Sequence, residues 1–148
     1  MNSREMAIRA YRDDDHAAVV ELWFECGLVA PQNNPERDIE RKLAHDPEGF
    51  LVGEHEGRVV ATCMVGYDGH RGWINYLAVS PAQQGRGWAR AIMEHAEEIL
   101  SDAGCAKINL QVRASNRGVV TFYERIGFKV DDVLSLGKRL VLDDPYKG

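Results

Sequence analysis

The sequence predicts a single mixed α/β domain, because of its length, its composition and the order of its hydrophobic patterns. The chain has 148 residues, of which 45% are hydrophobic and 28% charged. This balance is typical of one globular domain that buries a core. Period-2 and period-3.6 patterns follow each other in the order β-α-α-β-β-β-α-β-α-β-β. No linker or repeat divides residues 1–148.

The amino-terminal third is predicted to contain one strand and two helices. A short strand spans residues 7–12, and Asp13–Asp15 supply a cap and favourable charge for a helix that ends near Gly27. The apolar stripe of this helix consists of Val19, Val20, Leu22, Trp23 and Phe24. A loop rich in proline and asparagine over 31–35 precedes a short helix over 36–44.

The middle of the chain is predicted to form three neighbouring strands. Residues 50–54 and 58–66 read as a hairpin around the turn at 56–57. A further strand covers residues 73–79, and the proline that follows it ends the strand.

The longest helix is predicted over residues 88–103, with Gly104 as its carboxyl-terminal cap. Its apolar residues fall on one face at a 3.6-residue period. They are Trp88, Ala89, Ile92, Ala96, Ile99, Leu100 and Ala103.

Four further elements are predicted beyond this helix. A buried strand covers residues 107–112, and a helix covers 115–126. Two closing strands are expected over 128–130 and 134–142.

Charge and hydropathy exclude several classes of protein. Eighteen Lys and Arg against 23 Asp and Glu give a net charge of −5, which disfavours sequence-independent binding of nucleic acid. No apolar stretch approaches the roughly 20 residues of a spanning helix, so no membrane partner is expected. The start, MNSREMAIRA, carries no secretory signal. We therefore expect a cytoplasmic protein.

Neither the cysteines nor the histidines suggest a metal centre. The three cysteines, Cys26, Cys63 and Cys105, form no CxxC pair and are expected to be reduced thiols. Four histidines show no ligand spacing, and they are His16, His45, His55 and His95. We expect no metal cofactor.

The stretch between the strand at 73–79 and the long helix has the composition of an anion-binding turn. Gly85 and Gly87 permit unusual backbone conformations, and unpaired N–H groups at the start of a helix attract phosphate. Arg86 and Arg90 add positive charge. The Walker and dinucleotide fingerprints are absent. Taken alone, two glycines are equally consistent with a tight strand-to-helix connection.

Two motifs in this half of the chain resemble the signatures of the GNAT superfamily, the Gcn5-related N-acetyltransferases. Gln84-x-x-Gly87-x-Ala89, preceded by Leu77-Ala78-Val79-Ser80-Pro81, is similar to the acetyl-CoA pyrophosphate loop. A second stretch of the chain is similar to the other signature of the superfamily. It reads Val112-x-Ala114-x-Asn116-x-x-Val119-x-x-Phe122-Tyr123-Glu124-x-x-Gly127-Phe128. Segments 38–42, 67–72 and 134–140 look like those of the bacterial YpeA-type subgroup.

This resemblance implies a GNAT fold, with a central mixed, mostly antiparallel sheet flanked by about four helices. It also implies acetyl-CoA as cosubstrate. The backbone of Leu77 and Val79 would pair with the pantetheine, and the Val79 N–H would polarise the thioester carbonyl. The pyrophosphate would lie on the loop amides of Gln84, Gly85, Arg86, Gly87, Trp88 and Ala89.

Two side chains receive roles from the resemblance. Asn116 would contact the pantetheine arm, and Tyr123 would protonate the departing thiolate. The residues alone also allow Asn116 to be a helix N-cap. Without the motif, they favour Tyr123 as an aromatic residue at the core edge, four residues beyond Val119 on one helix face; the motif reverses that preference.

The acceptor is expected to be a primary amine of a small molecule, peptide or protein. An alkyl ammonium must lose a proton before attack, which costs about 4 to 5 kcal/mol at pH 7. The carboxylate that similar enzymes place on the strand before the loop is absent here. Five residues are candidates for the base: Glu21, Glu25, Asp68, His70 and Tyr76. The residues alone favour a turn role for Asp68 and a surface-loop position for His70.

Three functions are consistent with this sequence. The first is direct acetyl transfer without a covalent intermediate, because Cys63 lies in an apolar strand where a thiol is usually inert. The second is an acyl-CoA-binding regulatory module with little turnover. The third, a toxin-like enzyme that acetylates aminoacyl-tRNA, needs a basic funnel that a net charge of −5 does not indicate. A homodimer is one alternative for the oligomeric state.

Overall fold

Five strands and four α-helices form the part of the chain that the computed structural model describes, residues 5–31 and 33–146. Two predictions fall partly outside the described residues. They are the start of the chain without a secretory signal, at residues 1–4, and the loop over 31–35, at Gln32. The elements in chain order are β1 (Ala7–Ala10), α1 (His16–Glu25), α2 (Pro35–His45), β2 (Phe50–His55), β3 (Arg58–Tyr67), β4 (Gly72–Val79), α3 (Trp88–Asp102), β5 (Ile108–Leu110) and α4 (Arg117–Arg125).

The strands form one sheet in the order β1-β2-β3-β4-β5. Neighbouring strands from β1 to β4 are antiparallel, and β2 and β3 form the predicted hairpin. Gly72 at the start of β4 donates its N–H to the Lys107 carbonyl, 2.9 Å away. The prediction of a mixed, mostly antiparallel sheet with about four helices is confirmed.

The three aspartates before α1 form a 3-10 turn of their own. Asp15 accepts the N–H of Arg12 at 2.8 Å and pairs with the Arg9 guanidinium at 2.7 Å. The Arg9 hydrogen bond holds the pKa of Asp15 below its ordinary value. Strand β1 is thereby tied to the start of α1, and the helix ends at the predicted place, before Gly27 with φ of 70°.

The core of the first half lies between α1 and the sheet. Trp23 on α1 stacks on Phe50 of β2 and on Tyr76 of β4, with ring centroids 6.1 and 3.8 Å apart. Phe24, predicted in the same stripe, is 50% exposed and packs against Tyr146 at 5.6 Å. The core cluster comprises Val19, Val20, Leu22, Trp23, Ile39, Phe50, Val52, Met64 and Ala78.

Helix α3 confirms the predicted apolar face except at Ala103, which is exposed and occupies the C-cap position beyond the helix. Trp88, Ile92, Ala96 and Leu100 are buried, together with Met93. These residues recur every three or four positions, so one side of the helix packs on β3 and β4 while the other carries the charged residues.

The chain separates into two compact units, one formed by residues up to Asn109 with those from Asp143 onward, and one formed by Leu110–Leu142. The predicted single domain over 1–148 stays a prediction. In the second unit no residue is fully buried. The closing strands predicted over 128–130 and 134–142 are wrong, since none of these residues belongs to a strand. A strand needs a partner for its backbone hydrogen bonds, and alternating apolar residues do not supply one.

Candidate active site

A β-bulge interrupts β4 at the start of the segment predicted to bind the cosubstrate. Thr62 of β3 pairs with Ala78, and Met64 pairs with Asn75. Tyr76 and Leu77 therefore both lie opposite one residue of β3, which is the definition of a bulge. Tyr76 adopts φ of 50°, a conformation that bulky side chains rarely adopt.

Beyond the bulge, the backbone of Val79 points away from β3. Ser80 donates its N–H to the Val60 carbonyl of β3 at 2.8 Å. Successive residues of a strand direct their backbone groups to opposite edges, so the N–H and C=O of Val79 face the other edge of β4. The Cys26 thiol donates to this Val79 carbonyl at 3.3 Å. Leu77, the other predicted contact, is half-buried within the bulge.

The loop after β4 takes its shape from two glycines. Gly85 and Gly87 have φ of 86° and 77°, and a Cβ added at either position would meet no atom within 4 Å. The whole stretch from Gln84 to Gly87 is exposed. Gly87 is the N-cap residue of α3 and offers no side-chain cap. An open loop leading into a helix N-terminus suits an anion of pyrophosphate size.

Trp88 anchors this loop to the core. Its side chain is buried and packs against the His55 ring, with centroids 4.7 Å apart. The Arg86 guanidinium lies over the same indole at 5.1 Å. Ala89, the last residue of the predicted loop contacts, lies in the first turn of α3 and is half-buried.

The other predicted site residues lie in the second unit, on α4. Asn116 occupies the N-cap position of this helix, but its side chain makes no capping hydrogen bond. The Tyr123 ring packs edge-on against Phe122 and Phe128, with centroids 5.3 and 5.6 Å away. Leu77, Val79 and the loop thus belong to the first unit, and Asn116 and Tyr123 belong to the second.

Tyr76 is disfavoured as a base by its surroundings. Its hydroxyl donates to the Asp38 carboxylate at 2.6 Å and accepts from the Asn33 side-chain amide at 2.8 Å. Burial, followed by the hydrogen bond to Asp38, raises the pKa of Tyr76 well above its ordinary value. The group therefore stays a neutral hydroxyl and holds its proton for Asp38.

Asp68 has the turn role that the sequence allowed. Its Oδ1 accepts the N–H groups of His70 and Arg71 at 2.8 and 2.7 Å. These backbone hydrogen bonds, that of Arg71 first, lower the pKa of Asp68. His70 is exposed, as are the carboxylates Glu21 and Glu25 on α1.

Sequence reasoning missed three polar residues around the bulge, namely Cys26, Asn33 and Asp38. In the sequence, Asp38 stands out only within the segment that resembles one subgroup, and Asn33 only within a loop rich in proline and asparagine. Their partners, Val79 and Tyr76, lie about 40 to 50 positions away in the chain. Local spacing therefore holds no signal for them.

The three thiols are free. Cys63 is fully buried, and desolvation raises the pKa of its thiol to about 12. Within residues 5–31 and 33–146, no three His, Cys, Asp or Glu side chains are grouped to hold a metal ion. Over the same ranges, no helix combines the length and hydrophobicity that a bilayer span requires.

The chain matches known acetyltransferases in sequence and in structure. A family model described as Acetyltransferase (GNAT) family matches residues 9–128. An acetyltransferase of Sodalis glossinidius is 51% identical over 142 residues, which cover 95% of this chain and all of the relative. A protein of Agrobacterium tumefaciens described as an acetyltransferase superposes with a TM-score of 0.74 at 23% identity, covering 90% and 99% of the two chains.

A predicted acetyltransferase of Clostridium acetobutylicum, solved with acetyl-CoA, superposes with a TM-score of 0.67 at 17% identity, covering 90% of this chain and 96% of that one. The two structural matches show a shared fold. The family match and the relative that is identical at half of its positions establish more. The chain belongs to the acetyltransferase (GNAT) family, whose members generally carry out acetyl-CoA-dependent acetyl transfer.

Proposed function

We propose that this protein transfers an acetyl group from acetyl-CoA to a primary amine by direct attack in a ternary complex. The observation that carries the proposal is that β4, with the backbone of Val79 turned away from β3, runs directly into the exposed glycine loop and the N-terminus of α3. Together these elements offer backbone donors along an extended path. Such a path fits a ligand that has a pyrophosphate at one end and a thioester at the other.

At the pyrophosphate end, binding comes from the backbone between Gln84 and Ala89. The first N–H groups of a helix lack intrahelical partners, and the dipole of the 15-residue helix α3 favours negative charge there. Without a Cβ at Gly85 and Gly87, phosphate oxygens can approach the chain closely. Arg86 adds a positive charge beside the loop.

At the acyl end, the Val79 edge performs two tasks. Its C=O keeps an acceptor site beside the Cys26 thiol, because a carbonyl oxygen has two lone pairs. An amide of the pantetheine can therefore pair with it as an added strand does, with Leu77 as the neighbouring contact. The Val79 N–H donates toward the thioester oxygen, where negative charge develops as the amine attacks.

The reaction forms an N–C bond and breaks a C–S bond. The neutral amine attacks the thioester carbon, and the electron pair of the C–S bond leaves on sulfur. We assign Tyr123 as the acid that gives its hydroxyl proton to this thiolate, and Asn116 as a contact of the pantetheine arm. The substrate ammonium gives up two protons in all: the one lost before attack goes to solvent, and the one lost after attack returns through solvent to Tyr123 and restores its hydroxyl.

The expected location is the cytoplasm, since three free thiols are typical of a reducing compartment. The acceptor is a primary amine of a small molecule, a peptide or a protein. The strand segment before the loop offers no carboxylate as base. Another group, or water, must therefore remove the proton from the substrate ammonium before it can attack.

The test is acetyl transfer to a panel of amines: spermidine, lysine, kanamycin and a peptide with a free N-terminus. Release of CoA thiol and the mass of each product are measured with acetyl-CoA. We expect at least one amine to raise thiol release above hydrolysis and to gain one acetyl group. If the folded protein binds CoA but no amine raises the rate, transfer to these amines is contradicted and the binding-module alternative is favoured.

The role of Tyr123 is tested with Tyr123→Phe, which keeps the ring and its contacts with Phe122 and Phe128. Turnover should fall roughly 10- to 10⁴-fold, as the loss of a general acid does. Affinity for CoA, measured by calorimetry, should stay nearly constant. An unchanged rate across pH, with chemistry limiting, would assign the protonation to another group.

A further inference from the structure

Tyr76 is held in a conformation that its side chain disfavours. Among the described residues other than glycine, only Glu56 and Tyr76 have positive φ. Glu56 belongs to the hairpin turn between β2 and β3, where such values are common. Tyr76, by contrast, lies inside a strand, so surrounding contacts must impose its conformation.

One set of contacts holds the backbone of Tyr76. The Thr62 hydroxyl donates to the Tyr76 carbonyl at 2.8 Å and accepts from the Trp23 indole N–H at 2.9 Å. Thr62 and Trp23 are both fully buried. The indole also stacks on the Tyr76 ring, with centroids 3.8 Å apart and an interplanar angle of 15°. Water is thus excluded from one side of the bulge.

A second set of contacts holds the hydroxyl. Asp38 accepts from it at 2.6 Å, and Asn33 donates to it at 2.8 Å. Asn33 itself is fixed, because its side chain accepts the Ala30 N–H at 2.8 Å and donates to the Leu28 carbonyl at 3.3 Å. Asn33 and the α2 residue Asp38 are therefore both tied to β4 through the Tyr76 hydroxyl.

We propose that Tyr76 is a positioning residue for acetyl transfer: by holding the β4 bulge from its backbone and from its hydroxyl, it aims the Val79 amide at the acyl group. The inference rests on the proposed function of Val79. Val79 lies three positions beyond Tyr76 in the same strand, so a change of φ at the bulge swings the Val79 peptide. A displacement of about 1 Å in a reacting geometry is enough to cost roughly 100-fold in rate.

The decisive variant is Tyr76→Phe, which removes the hydroxyl and keeps the stack on Trp23. It leaves Asp38 and Asn33 without their shared partner, so one of the two sets of contacts that hold Tyr76 at φ of 50° is lost. We expect kcat to fall roughly 10- to 100-fold, while the Kd of CoA changes less than about threefold because the pyrophosphate loop is untouched. The amide resonance of Val79 should shift in a ¹⁵N–¹H spectrum.

The matched control is Tyr11→Phe. Tyr11 stacks on Phe50 at 4.5 Å, and its hydroxyl lies 3.4 Å from the His16 ring, so the same atom is removed from another stacked tyrosine of the core. We expect its kcat and its Val79 resonance to match the wild type.

A second variant, Asp38→Asn, keeps an oxygen that accepts from Tyr76 and should lose less activity than Asp38→Ala.

Two outcomes would overturn the inference. One is a folded Tyr76→Phe with wild-type kcat and an unmoved Val79 amide. The other is an Asp38→Ala that behaves like Asp38→Asn in both measurements, which also decides the case if Tyr76→Phe does not fold. Failure of the proposed function gives a different result, since the wild type would then acetylate no amine while the Val79 amide still responds to Tyr76→Phe and ignores Tyr11→Phe.

Discussion

The two ends of the proposed acetyl-CoA site are built in opposite ways. At the acyl end, the bulge is enclosed by buried side chains from α1 and β3 and fastened to α2 by Asp38. At the pyrophosphate end, the loop is exposed, and the positive φ of Gly85 and Gly87 gives it its shape. One end depends on tertiary contacts, and the other depends on residues that lack a side chain.

Because of this contrast, substitutions at the two ends should affect different properties of the protein. Substitutions around the bulge should first cost stability, because they leave buried polar groups without partners. Substitutions at Gly85 or Gly87 add the strain of a positive φ, but the new side chain meets no protein atom within 4 Å, so their distinctive cost should be in ligand affinity. The following predictions test this division, and each changes a single end or serves as a reference for both.

The largest effect is expected for Thr62→Val. Valine has a similar shape but no hydroxyl, so the Trp23 indole N–H and the Tyr76 carbonyl both lose a buried partner. At about 1 to 3 kcal/mol for each group, the free energy of unfolding should fall by about 3 to 4 kcal/mol. Urea unfolding followed by tryptophan fluorescence measures it. Thr62→Ser keeps the hydroxyl and should lose distinctly less; equal losses would assign the effect to packing alone.

The next effect concerns the loop and is expected in affinity. Gly87→Asp places a side chain and a negative charge where the pyrophosphate binds, so calorimetry should show about 100-fold weaker CoA binding, or about 2.7 kcal/mol. Gly87→Asn, which is neutral, should lose less.

Gly104→Asp is the positional control for this prediction. Gly104 has φ of 87° and equally open surroundings, but it lies past the other end of α3. The same charge and the same backbone strain there should leave CoA affinity unchanged. A folded Gly87→Asp with wild-type affinity would move the phosphate site away from this helix.

A reference for both ends is the ion pair between Arg9 and Asp15, which ties β1 to the turn before α1. The pKa of Asp15 is lowered in the folded state, so the pair stabilises fully above the unfolded value of about 3.9. That stability is lost as pH falls through the lower, folded pKa. Asp15→Asn should lower the free energy of unfolding by about 2 kcal/mol at pH 7. In acid, the free energy of unfolding of this variant should fall less steeply with decreasing pH than that of the wild type. The affinity for CoA at pH 7 should equal that of the wild type. A changed affinity would show that the Arg9–Asp15 ion pair influences the CoA site.

The same contrast explains how much the sequence alone could predict. The loop was predictable, because a glycine needed for positive φ is visible in the sequence itself. The buried face of α3 was predictable from the spacing of Trp88, Ile92, Ala96 and Leu100. The turn at Asp68 was likewise predictable, since its partners lie two and three residues away. In each case the cause and its effect are close in the chain.

The bulge was not predictable, because its supports come from distant positions. Tyr76 meets residues 14 and 38 positions away, Thr62 and Asp38, and no local pattern marks a tyrosine for positive φ. The closing strands failed for a related reason. Leu134 and Leu136 alternate as strand residues do, yet both are more than 90% exposed and neither belongs to a strand. Pairing is a tertiary property, which alternation alone does not supply.

The smallest effect is expected for Cys63→Ala, on the β3 side of the bulge. Cys63 is fully buried opposite Tyr76 and Leu77, and its thiol contacts only the Met64 carbonyl, at 3.9 Å, among the hydrogen bonds described. Loss of one sulfur should leave a small void and cost about 1 kcal/mol in unfolding free energy.

Because the pKa of Cys63 is raised to about 12, the thiol is almost entirely protonated at pH 8 and is a poor nucleophile. Acetyl transfer should therefore continue in Cys63→Ala. Intact-protein mass spectrometry after mixing the wild type with acetyl-CoA alone checks this, since an acetyl adduct on Cys63 that amine discharges at the catalytic rate would replace direct attack with a covalent route.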